Sequence, residues 1–111
     1  MALREFTLQL SGTSVASVSG ATTPAAGKVW TIIGFTVTNR TTGALSFDVY
    51  KALSGVNTYL ADRMPLPAFN NHYTIGQLGK HIVLPGGLVY VKSTVAASID
   101  VTMTVSEDDN S

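Results

Sequence analysis

The side chains of this 111-residue chain that could do chemistry are few and scattered. Two histidines are present, His72 inside "NNHYT" and His81 at the head of "HIVL". The acids are Glu5, Asp48, Asp62, Asp100, Glu107, Asp108 and Asp109. A metal centre or a general base needs such groups to converge, and none of them falls at an H-x-H or H-E-x-x-H spacing. Serine is plentiful, but no G-x-S-x-G turn raises one as a nucleophile. "GQLGK" ends like a phosphate-binding loop, yet it lacks the earlier glycine and the following Ser or Thr. A pair of carboxylates for glycoside cleavage is set by distance in space, so sequence spacing alone leaves that chemistry open. There is no cysteine, which removes disulfides and thiolate zinc sites. The expectation is therefore a chain with no catalytic, metal or cofactor site. His72 and His81 read as loop or surface residues, and alanine at both is expected to leave function untouched. "NRT", Asn39 to Thr41, matches an N-glycosylation sequon but reads as the start of a turn.

The aromatic residues are more telling. Trp30, Tyr50 and Tyr90 sit on the weaker faces of apolar alternating runs, while Tyr59, Phe69 and Tyr73 lie in or near the central loops. Phe6 and Leu8 alternate with polar residues near the start. One reading makes these positions core, covered by a loop. A second makes them a contact surface, because Tyr and Trp bury much area at low entropic cost. A third makes Trp30 or a tyrosine a platform for a sugar ring, with "ADR" (61–63) and "FNN" (69–71) as the available polar partners. As an interface the set is Phe6, Leu8, Trp30, Tyr50, Tyr59, Phe69, Tyr73 and Tyr90.

The elements that carry these residues are strands. "VWTIIGFTVTN" (29–39) alternates and is rich in β-branched and aromatic side chains. Its parity puts Val29, Ile33, Phe35 and Val37 on the apolar face, with Trp30 and Ile32 on the mixed one. "ALSFDVYK" places Leu45, Phe47 and Val49 inward. "SIDVTMTVS" does the same with Ile99, Val101, Met103 and Val105, and "LVYVKS" adds Val89 and Val91. Shorter candidates are "FTLQL", "SVASVS", "NTYLADR" and "KHIVL". "TTGA" (41–44) reads as a hairpin through Gly43, and "LSGVN" as another turn through Gly55. "LPGGL" is a reversal in which Gly86 or Gly87 takes positive φ. No segment keeps a helical period for three turns. About eight short strands in this length predict an all-β, antiparallel two-sheet sandwich of jelly-roll type. Buried aspartate at Val29 or Val101 is expected to unfold it. Residues 1–12 are either the first strand or an arm offered to a neighbouring subunit. On the second reading, deleting them leaves a folded protein that assembles poorly. Residues 107–111 read as a solvated acidic tail.

Length fits one domain, 1–111. The formal net charge is zero and only 13% of residues are charged. Such a surface has little self-repulsion and suits packing against protein. It lacks the Lys/Arg excess that nucleic acid calls for. No signal-peptide core follows the start, and the longest apolar run is too short for a bilayer helix. The expectation is a soluble protein with neither a nucleic-acid nor a membrane partner.

Two stretches resemble a known group. "PAAGKVWTIIGFTVTNRTTGALSFDVYK" (24–51) is similar to the opening of small β-sandwich structural proteins of tailed bacteriophage virions. "IVLPGGLVYVKSTVAASIDVTMTVSED" (82–108) resembles their close, although Gly86-Gly87 stands where those proteins often carry Gly-Asp. The resemblance implies a virion part without enzymatic activity, assembled in the host cytoplasm. A capsid decoration (cement) protein comes first, commonly a homotrimer bound to the major capsid protein. A neck or tail accessory comes next. A carbohydrate-binding module is the reading from a different class.

Overall fold

Where apolar and polar residues alternate, a strand can press one face on a core and leave the other to solvent. The chain uses this arrangement almost throughout. The computed structural model describes residues 2–67, 72–74, 82–95 and 99–109, with 72–74 described by backbone alone. Phe69 and His81 lie outside the described residues. The strands are β1 (Ala2–Gln9), β2 (Ala16–Ser17), β3 (Lys28–Asn39), β4 (Leu45–Leu53), β5 (Val56–Leu66), β6 (His72–Thr74), β7 (Ile82–Val83), β8 (Leu88–Ser93) and β9 (Ile99–Asp109). No helix occurs among the described residues.

All pairing is antiparallel. One sheet runs β1-β9-β3, with β6 and β7 sharing the far edge of β3; the other runs β2-β8-β4-β5. The pairs β1·β9, β2·β8, β3·β6 and β4·β5 nest inside one another. The chain is thus one long hairpin, folded over so that its pairs alternate between two sheets, which is the topology of a jelly roll. The tip of that hairpin is Ser54-Gly55, with φ of 52° and 81°. Two successive residues at positive φ make the tight turn whose twist matches the strands it joins. "LPGG" closes differently. Gly87 N donates to Leu84 O at 2.8 Å, and Gly86 takes φ 85° behind Pro85. "TTGA" is not a hairpin: β3 and β4 belong to different sheets, and the turn carries the chain between them.

Both sheets contribute to one core. Trp30, Ile32, Phe35, Val37, Ile99, Val101, Met103 and Val105 come from the first; Leu45, Phe47, Val49, Val89 and Val91 come from the second. Leu10, just after β1, and Val18, just after β2, close it. The inward sets expected on β4, β8 and β9 are the buried ones. On β3 the expected parity fails halfway. The register against β9 slips between Ile32 and Gly34, so Ile33 is an extra residue and is 52% exposed. Such a bulge switches which parity faces in. Before it Trp30 and Ile32 are buried; after it Phe35, Val37 and Asn39 are. Val29, expected in the core, is only half-buried and pairs with Asp108.

The two ends of the chain form neighbouring strands. β1 pairs with β9 from Ala2↔Glu107 to Gln9↔Asp100, and Leu10 N extends the ladder to Ile99 O at 3.1 Å. Of the run 107–111 expected as a solvated tail, Glu107 to Asp109 are strand, with Asp109 exposed, and basic and aromatic partners meet them; 110 and 111 lie outside the described residues. Arg4 lies 3.5 Å from Glu107, Trp30 Nε1 donates to Glu107 at 2.8 Å, and Lys28 pairs with Asp109. That last contact holds the Asp109 carboxyl below its ordinary value and raises Lys28. Deleting residues 1–12 removes Leu10, strips Phe6 from Trp30 and bares one side of β9. The expected result in a thermal melt is loss of the cooperative transition; a sharp wild-type transition would show that the segment is dispensable to the fold.

Candidate functional site

The outer face of the second sheet gathers what the sequence scatters. Tyr50↔Tyr59 and Tyr50↔Tyr90 are register partners, so three tyrosines form one row across β5, β4 and β8. Ring centroids are 5.0 Å apart for Tyr50–Tyr59 and 5.4 Å for Tyr50–Tyr90, with interplanar angles of 36° and 27°. Contacts at these separations add to the area the rings bury. Tyr59, on the edge strand, is 52% exposed; Tyr50 and Tyr90 are half-buried. Ser17 opposes Tyr90 on β2 and continues the row.

Beside the rings the face turns polar. Asp48 and Lys92 are register partners two residues along β4 and β8. A bulge in β5 puts Arg63 at φ 50°, and its N–H donates to Asp48 Oδ1. A non-glycine residue in that region costs energy, and the carboxylate helps to hold it. Thr94 Oγ1 accepts from Ser46 N at 3.0 Å and closes the far end. Together Thr13, Ser14, Val15, Asp48, Tyr50, Tyr59, Lys92, Ser93 and Thr94 line an open hollow of about 840 Å³. Partial burial pushes the Tyr50 hydroxyl above its ordinary 10.0, and Tyr59, Tyr90 and Asp48 add in the same direction. A raised folded-state value means stability that is complete below pH 10.0 and lost as pH climbs through the folded value. The melting temperature is expected to fall above that pH, and less so in Tyr50→Phe; identical profiles for the two proteins would refute the assignment.

A second feature lies at the end of the sandwich, around the β4–β5 tip. Leu53, Val56, Ile82, Val83, Leu84 and Leu88 contribute to a mostly apolar hollow of about 470 Å³. Val56 is 66% exposed and Ile82 43%. Lys51 lies at its margin and donates to Ile82 O at 3.3 Å. These aliphatics escape sequence reading because they come from the ends of β4 and β5, from β7 and the residue after it, and from the start of β8.

The expected interface residues therefore divide. Tyr50, Tyr59 and Tyr90 come together. Trp30 does not join them: it is 1% exposed, in the core, with its ring 5.1 Å from Phe6. It can serve neither as a sugar platform nor as a contact residue, since the β3 bulge turns it inward. Phe6 and Leu8 are half-buried and pack against the core. Arg4 stands 5.3 Å above the Phe6 ring and 5.4 Å from that of Trp30. The backbone of Tyr73 pairs with Val37 and that of His72 with Thr38. Asn39 begins a turn as expected, but its amide is buried and bonded, so the folded chain offers no glycan acceptor there. Among the described residues, no group of three His, Asp or Glu could hold a metal ion.

No family model matches the chain, and no curated protein matches it. The solved structures to which the chain is similar include two from unrelated sources. One is the nucleoplasmin-like N-terminal domain of Drosophila FKBP39, with a TM-score of 0.42 at 9% identity over 98% of this chain and 93% of that one. The other is from the infectious bursal disease virus Gx strain, with a TM-score of 0.39 at 13% identity. It matches over 96% of this chain, which spans only 42% of that one. The class defined by fold and surface is an all-β, two-sheet antiparallel sandwich.

Proposed function

We propose that this chain is a non-enzymatic structural protein of a virion, and within that class a capsid decoration protein that self-associates and binds the assembled shell. The observation that carries the reading is the exposed aliphatic end at Leu53, Val56 and Ile82. Clustered apolar side chains around a hollow are what a protein contact covers. The low charge of the chain leaves little to oppose such a contact. The likeness of residues 24–51 and 82–108 to small phage β-sandwich proteins supports the virion setting. A cement protein acts by mass action, binding the finished lattice and so stabilising it, and many weak symmetric contacts supply the affinity.

The test is the copy number of the chain in purified particles, together with the double variant Val56→Asp/Ile82→Asp. Shell decoration requires on the order of hundreds of copies per particle, whereas a neck or tail accessory requires about a dozen or fewer, by the symmetry of each location. The double variant is expected to melt like the parent and to lose at least roughly tenfold in particle binding. Absence of the chain from particles, or full binding by the variant, would defeat the proposal.

A further inference from the structure

The hollow beside the tyrosine row is chemically unlike the aliphatic end. We propose that it is a binding site for a neutral oligosaccharide, with Tyr59 as the stacking ring and Lys92 and Asp48 as the polar contacts. Three observations converge on that ligand class. First, the row ends at the edge strand with Tyr59 half open to solvent, while Tyr50 and Tyr90 support it from within the sheet. A pyranose presents a patch of C–H bonds that such a ring can cover. Second, the neighbouring wall offers donors and acceptors side by side. Lys92 donates, Asp48 accepts, and the hydroxyls of Thr13 and Ser14 can do either, while that of Thr94 is already bonded to the Ser46 backbone. A polyhydroxyl needs both kinds along one edge. Third, the charges in the hollow are one acid and one base set opposite each other in register. An anion would meet Asp48 and a cation would meet Lys92, whereas a neutral ligand can use both. A hydrocarbon ligand would strip water from both charges and return no hydrogen bond to either, at a cost in desolvation. The volume, about 840 Å³, is within the range of small-ligand sites and accommodates more than one sugar ring.

This inference does not rest on the decoration reading, because it concerns a different face and a different class of partner. The experiment is a glycan array carrying neutral and anionic oligosaccharides, followed by calorimetric titration of the intact chain with the best neutral ligand. Maltohexaose, cellohexaose and chitohexaose serve as fixed probes. Tyr59→Ala and Lys92→Ala test the site, and Leu3→Ala, exposed on the other sheet, is the control. The expected result is binding of at least one neutral glycan, weakened at least roughly tenfold in Tyr59→Ala and severalfold in Lys92→Ala, and unchanged in Leu3→Ala. Melting temperatures should match across all four proteins, so that lost binding is not lost folding. No neutral glycan bound at millimolar concentration, binding confined to anionic glycans, or undiminished binding by Tyr59→Ala would each overturn the assignment. Loss of particle attachment in Tyr59→Ala without any glycan binding would also overturn it, by showing that the tyrosines meet protein.

Discussion

Val101→Asp will leave no cooperatively folded protein, whereas Val29→Asp will fold. Val101 is 1% exposed on β9, the central strand between β1 and β3, with the opposing sheet closing over it. An aspartate there must either bury a charge or take up a proton, and among the described residues no cationic side chain is buried to meet it. That penalty is several kcal/mol against a total stability of about 5–15 kcal/mol. Val29 sits on the other parity of β3, ahead of the bulge, and is half-buried. Its substitution sets a second carboxylate opposite Asp108, a cross-strand repulsion of roughly 1 kcal/mol. Circular dichroism with urea titration separates the two outcomes. Equal unfolding of both variants would mean that the bulge does not reverse the faces of β3.

The second large effect belongs to Asn39. This residue is fully buried at the end of β3. Its Nδ2 donates to Gly43 O at 3.0 Å, Leu66 O at 3.2 Å and Pro67 O at 2.9 Å. Its Oδ1 accepts from Thr41 N at 2.9 Å and from the Thr41 hydroxyl at 2.7 Å. One side chain therefore shapes the crossing from β3 to β4 and ties it to the end of β5. Asn39→Ala removes the donor from three carbonyls and the acceptor from one turn. A cost of about 3 kcal/mol is expected, since a buried polar group left unpaired loses its full solvation. Asn39→Asp costs more, because a carboxylate would face those same carbonyl oxygens. The order wild type, Ala, Asp in urea midpoint is the expected result; an Asp variant as stable as wild type would remove the network from the account.

How much of this could be read from residues alone depended on whether the deciding contact was local. β9 keeps strict alternation from Ile99 to Val105, and each inward residue named from that pattern is buried. β3 has nearly as strong a pattern, but one extra residue at Ile33 reverses it. The signal was Gly34, since a glycine inside a strand often marks a bulge. Of the three readings open for Trp30, core, contact surface and sugar platform, the buried position it takes ahead of the bulge agrees with the first. "TTGA" has the residues of a hairpin yet links two sheets, because a turn does not announce whether its strands share one. The acidic run looked like a loose end because its partners, Arg4, Lys28 and Trp30, are far away in sequence. The tyrosine row shows the same division. The outward parity of Tyr50 and Tyr90 was legible, but alignment with Tyr59 depends on the register across β4, which only pairing fixes. The aliphatic end is assembled from the β4–β5 turn and β7, and no single stretch reveals it.

The measurement that bears most directly on the proposed role is a density map of the particle at a resolution that traces this chain. The expected map has the Leu53, Val56 and Ile82 end pressed against a neighbouring subunit, with its hollow filled by that neighbour's side chains. A map in which this end faces solvent while the chain is held by some other surface would contradict it.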